Sequence, residues 1–160
     1  MDKKVLQEFA TRVTQANPSE LVVVIYEAAI ASMKEGKKAL CDQKIEEARK
    51  ELERARGMLD ELMRSLDMQY SISHYLIQLY IFAYRELCQS VALRQPERVD
   101  HAMDILEQLL PSFKEVAKQD DREAVMQNVQ SIYAGLTYGP PGSLNETTAM
   151  GNGTNRGFEA

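Results

Sequence analysis

The sequence lacks tryptophan, and its 160 residues hold only two histidines and two cysteines. A di-iron carboxylate site in a helical bundle needs two Glu-x-x-His motifs. Ser71 and Arg98 stand three residues before His74 and His101, so that site is excluded. No Cys-x-x-Cys occurs, which removes support for structural zinc. Cys41 and Cys88 lie far apart in helical patterns and read as small buried hydrophobes. Basic runs are missing as well. Net charge is −5, and the lysines and arginines of residues 34–38 and 50–56 are interleaved with glutamate. A general nucleic-acid binder needs a basic field that this chain does not have. Neither of the glycine-rich phosphate loops is present. The most apolar stretch, residues 21–33, is shorter than the ~20 residues a bilayer requires, so no membrane insertion is expected. Residues 1–14 mix charged and apolar groups, unlike a signal peptide; cytoplasmic localisation follows as the expectation. Ser71, Ser73 and His74 have no identifiable third group to orient a nucleophile. Glu97, Asp100, His101 and Asp104 read as a solvated helix face. No catalytic residue, metal ligand or cofactor site is expected, and the chain does not read as an enzyme.

What the sequence does have is helix signals. Asn17-Pro18-Ser19-Glu20 is a start signal: Asn17 suits an N-cap, Pro18 the first turn, and Glu20 can close a capping box. The helix it opens has apolar groups on every side from Leu21 to Met33, with Glu27 nearly the lone charge. A helix apolar all round must be covered by neighbours or lend a side to something else. Its spacing continues through Leu40 to a turn at Asp42-Gln43. Gly36 inside it costs up to ~1 kcal/mol relative to alanine.

Three further helices follow. Ile45, Ala48, Leu52, Ala55, Leu59, Leu62 and Leu66 step by three and four, an unbroken heptad seam. Residues 70–93 carry one stripe of Ile72, Leu76, Leu79, Ala83, Leu87 and Val91, and a second of Tyr70, Ile77, Ile81, Tyr84 and Cys88; Tyr75, Tyr80 and Phe82 widen both. Gln95-Pro96 ends this segment. Residues 97–118 place Val99, Met103, Leu106, Leu110, Phe113 and Ala117 on one face, with Pro111 expected to kink or break the helix. Ahead of all four, Val5, Leu6, Phe9, Ala10 and Val13 share one face of a short N-terminal helix.

Four segments of matched length joined by short turns predict an all-α fold, an antiparallel up-down four-helix bundle. Asp120-Asp121-Arg122-Glu123 is expected to cap an additional short C-terminal helix bearing Val125, Met126, Val129, Ile132 and Tyr133, with Gly135 as its end. Six of the eight glycines lie in the last 26 residues. Residues 1–135 therefore read as the bundle domain and 136–160 as a flexible Gly/Pro-rich tail.

The order and spacing of several pieces resemble the flagellar secretion chaperone FliS family. They are Pro18-x-Glu20-Leu21 leading to Ile25-Tyr26 and Ala28-Ala29, then Leu59-Asp60-Glu61-Leu62-Met63-Arg64-Ser65-Leu66-Asp67, then Leu79-Tyr80 and Tyr84-Arg85-Glu86-Leu87, and Phe113 near the end of the fourth helix. The resemblance covers residues 9–118. It implies a non-catalytic cytosolic chaperone that binds the disordered C-terminal segment of flagellin in hydrophobic grooves. Such a chaperone blocks premature polymerisation and assists delivery to the flagellar type III export apparatus. Its N-terminal segment can lie over part of that surface. Three departures stand out: Phe9 is offset by one from the family's N-terminal aromatic, Pro111 is unexpected, and residues 120–160 lie outside the common core.

The surplus apolar surface on the first and third long helices places the expected client groove at Ile25, Tyr26, Tyr75, Leu79, Tyr80, Ile81 and Tyr84. Leu6, Phe9, Val13, Leu136, Tyr138 and Leu144 are candidates to cover it. The free protein is expected to be a monomer or weak dimer. The alternative is a structural helical module that oligomerises through its apolar helix faces.

Overall fold

The computed structural model describes residues 1–125. The tail and all but the first residues of the expected C-terminal helix, including Leu136, Tyr138 and Leu144, lie outside them. Among the described residues there are five helices and no strand: α1 (Lys3–Gln15), α2 (Pro18–Cys41), α3 (Ile45–Arg64), α4 (Ser71–Leu93) and α5 (Glu97–Lys118).

The start of α2 is built as its sequence requires. The Asn17 side chain accepts a hydrogen bond from the Glu20 N–H at 2.8 Å, and Glu20 accepts from the Asn17 N–H at 3.0 Å. Two tight turns are made without glycine. Gln43 and Arg94 adopt left-handed backbone conformations, with φ of 59° and 54°. Each lets the next N–H reach back to the ending helix, Lys44 to the Ala39 carbonyl and Gln95 to the Ser90 carbonyl. Such short turns force α2 against α3 and α4 against α5 as antiparallel neighbours. With α3 packing on α4 and α5 closing on α2, the ring of four is complete, and α1 lies on α2.

The core alternates large and small side chains. Leu52, Leu59 and Leu62 of α3 meet Tyr26 and Met33 of α2, Leu76, Tyr80 and Leu87 of α4, and Val99 and Leu106 of α5. Alanines at 29, 48, 55, 83 and 102, all fully buried, let the helices approach. The α3 heptad seam is thus enclosed by its own bundle, at roughly 2 kcal/mol per buried leucine.

Three expectations need correction. Pro111 does not break α5, which is continuous from Glu97 to Lys118. Pro111 and Glu107 are both exposed, so the Glu107 carbonyl that loses its helical partner lies on the wet side, while Leu106, Leu110 and Phe113 hold the other side to the core. Asp120 does not cap a helix: residues 120–124 are non-helical. Its carboxylate accepts instead from Ser19 Oγ and from the Arg122 guanidinium and N–H, so it is not turned toward Glu123. Cys41 is exposed at the end of α2 and Cys88 is half-buried; both are free thiols.

Candidate functional site

Among the described residues, closing the bundle leaves three apolar faces uncovered. The first is on α4. Leu76, Tyr80, Ala83 and Leu87 take the core side of that helix, and a second line runs beside them. Ile72, Tyr75, Leu79 and Phe82 recur at steps of three and four, so they stack along one flank. They are 59%, 68%, 37% and 48% exposed. The next position on that line is Glu86, which accepts from Arg98 at 2.9 Å and pairs with His101 Nδ1 at 2.7 Å on α5. The line therefore borders α5. Ile105 and Leu109, half-buried, follow His101 at four-residue steps and continue the apolar strip on that side.

The second face lies between α3 and α4, a groove of about 380 Å³ lined by Asp60, Met63, Ile81, Tyr84 and Cys88. Arg56 packs on two of its lining residues, its guanidinium 5.6 Å from the Tyr84 ring centre and its Nη1 donating to Cys88 Sγ at 3.1 Å. The third face, about 390 Å³, lies at the start of α2 beside the end of α5, with Leu21, Val22, Ile25, Phe113 and Val116 as its apolar lining.

The expected groove residues are divided among these faces. Tyr75 and Leu79 belong to the α4 strip, Ile81 and Tyr84 to the α3–α4 groove, and Ile25 to the α2 face. Tyr26 and Tyr80 are corrected to core residues, 0% and 1% exposed. Their hydroxyls share a 2.5 Å hydrogen bond, and their rings meet edge-on with centres 6.2 Å apart. Phe113 joins them, its ring centre 5.0 Å from that of Tyr26. Each tyrosine has a strong reason to turn inward: its ring fills the core and its hydroxyl finds a partner there. Burial, reinforced for Tyr26 by the Tyr80 hydroxyl, pushes both phenol pKa values above the ordinary tyrosine range. The expected set omitted Ile72, Phe82, Ile105 and Leu109, although the three-and-four spacing of the α4 pair was readable.

Helix α1 sits lightly on this frame. None of its residues is buried; Val5, Phe9 and Val13 are half-buried and Leu6 is 36% exposed. Polar ties hold it. Arg12 reaches Glu27 of α2 at 2.6 Å, and Glu27 also takes Lys114 of α5 at 2.7 Å. The amino terminus pairs with Glu51 at 2.8 Å. Partial burial raises the Glu27 pKa, but Lys114 and Arg12 outweigh it and hold the carboxyl below its usual range. An open cavity of about 520 Å³ is lined by Arg12 and Gln15 of α1, Val23 and Val24 of α2 and Lys114 of α5.

Among the described residues, no group of histidine, cysteine and carboxylate side chains could hold a metal ion, and no helix is long and apolar enough to cross a membrane. What the described surface offers is apolar area in one exposed strip and two grooves.

A comparison with curated proteins gives no match. The family model described as flagellar protein FliS matches residues 1–120, all five helices included. The chain belongs to the FliS family of flagellar chaperones.

Proposed function

We propose that this chaperone binds the C-terminal segment of flagellin, with the α4 strip as its principal contact and the α3–α4 groove as a second. The observation that carries the reading is the line Ile72, Tyr75, Leu79 and Phe82, which a self-sufficient bundle would have no reason to leave in water. A client segment that lays an apolar helix face along it buries those side chains and its own. The segment pays its ordering entropy on binding, which moderates affinity and leaves it releasable. While held it cannot enter a filament. Hand-over to the type III export apparatus, cytoplasmic residence and the division into a 1–135 chaperone unit and a 136–160 tail belong to the same proposal. The heptad seam of α3 is enclosed in the bundle and is not free to pair with a second copy, which favours the monomeric reading.

The test is calorimetric titration of the full chain with the isolated C-terminal segment of flagellin. Phe82→Asp and Leu79→Asp are expected to weaken binding by at least ~10-fold, since each replaces an apolar contact by a charge that binding would have to strip of water, while helical content stays unchanged. Absence of binding by the unaltered protein at tens of micromolar would sink the proposal.

A further inference from the structure

One end of the α2 face is already occupied by this chain. After α5 the backbone turns back across the start of α2 and is fastened there at three points. Asn17 Nδ2 donates to the Asp120 carbonyl at 3.0 Å, and Ser19 Oγ to the Asp120 carboxylate at 2.5 Å. Arg122 Nη2 closes on the same carboxylate at 2.6 Å, and the Val125 N–H donates to the Ala16 carbonyl at 3.1 Å. Arg122 and Val125 then form the rim of the groove whose walls are Leu21, Val22, Ile25 and Phe113. Val116 and Val125 on that rim are 56% and 38% exposed. The chain is thus delivered to the mouth of an apolar groove with 35 residues still to come, 126–160.

The next residues have the composition this groove would accept. Residues 126–136, Met-Gln-Asn-Val-Gln-Ser-Ile-Tyr-Ala-Gly-Leu, carry no charge. With Val125 they place Met126, Val129, Ile132, Tyr133 and Leu136 at the spacing of one helix face. As a helix they span about 16 Å at 1.5 Å per residue, enough to run past Leu21 and Ile25 on α2 and Val116 and Phe113 on α5. We infer that residues 126–136 dock as an amphipathic helix into the α2 groove, so that this chain covers one of its three apolar faces itself. The clamp at residues 120–125 sets the register and keeps the local concentration of the segment high. The occupant is the chain's own extension, and the inference does not depend on the identity of any client.

The experiment is hydrogen exchange on the full chain together with methyl NMR of Leu21, Val22, Ile25 and Val116. Amides of 126–136 are expected to exchange at least ~10-fold more slowly than in a free peptide of that sequence. Ile132→Asp is expected to abolish that protection and shift the four sets of methyl signals. Gln127→Asp, on the opposite helix face, is expected to do neither. Leu21→Asp tests the groove side and is expected to release the same segment, with α4 exchange unchanged. Free-peptide exchange of 126–136 in the unaltered protein overturns the inference, as does an Ile132→Asp variant that leaves the α2 methyls in place. Protection that vanishes on dilution, with a doubled mass at high concentration, overturns it in favour of a second copy as occupant.

Discussion

Gly36→Ala is expected to destabilise this protein, although alanine is the better helix former by ~1 kcal/mol. The reason lies across the α2–α3 interface. A Cβ at Gly36 would stand 2.5 Å from both Cγ and Cδ2 of Leu52. Cγ is not the free end of that side chain, and Leu52 is 1% exposed within the core, so it can yield only by displacing its neighbours. Overpacking of this kind costs roughly 1–3 kcal/mol, occasionally more. Set against the helical gain of ~1 kcal/mol, the net loss is up to about 2 kcal/mol. Gly57 provides the control on the facing helix: it is exposed, and nothing lies within 4 Å of its would-be Cβ. Gly57→Ala should therefore stabilise by up to ~1 kcal/mol. Urea unfolding followed by far-UV circular dichroism reads both changes as midpoint shifts of opposite sign at equal slope. Leu52→Ala alone should cost ~2–5 kcal/mol. On that background Gly36→Ala meets no obstacle and should stabilise, giving a coupling energy of about 2 kcal/mol between two side chains that touch. If Gly36→Ala stabilises the unaltered protein as much as Gly57→Ala does, close α2–α3 packing is not why glycine stands there.

Removing one hydroxyl of the core tyrosine pair leaves the other without its partner, so Tyr26→Phe and Tyr80→Phe should each cost about 1–3 kcal/mol, with the double variant recovering part of the loss. Both phenols have raised pKa values in the folded state, so their stability contribution is complete below the unfolded tyrosine value and lost as pH rises above it. Alkaline unfolding should be shallower in the double phenylalanine variant, as chemical denaturation across pH 9–12 would reveal. Glu27 has the opposite sign: its lowered pKa gives stability that is present above the unfolded glutamate value and lost as pH falls through the folded value. Amide protection factors in α1 should fall on acidification through that window, and Glu27→Gln should lower them at neutral pH and reduce their acid dependence. Pro111→Ala restores an N–H that can reach the Glu107 carbonyl in an otherwise regular α5, and should raise stability by roughly 1–3 kcal/mol by the same urea assay.

The limits of α2, α4 and α5 were legible because each is written in local chemistry. The Asn17–Glu20 capping box is a matter of residues three apart, and Gln95-Pro96 stops a helix wherever the bundle is placed. Pro111 and Asp120 were misread because in each case a local rule was overruled by the surroundings the fold supplies, water for one and a distant side chain for the other. The exposed side of α5 tolerates a missing hydrogen bond because water replaces it. Asp120, which has the residues of a helix cap, is claimed by Ser19 from the far end of the chain.

The candidate site divides in the same way. Which helices carry surplus apolar surface is a property of composition along each segment, and α2 and α4 show it plainly. Whether a given side chain is core or surface depends on rotation about the helix axis relative to three neighbours, and no single helix contains that information. Tyr80 and Leu79 are adjacent in sequence, yet one shares a hydroxyl bond with Tyr26 inside the bundle and the other lies on an open strip. The sequence by itself determined the five helices, their antiparallel order and the presence of more apolar area than a bundle needs, because periodicity and capping act within a few residues. Only the tertiary structure decided how that area is shared between core, α4 strip and grooves, because burial is set by packing between helices.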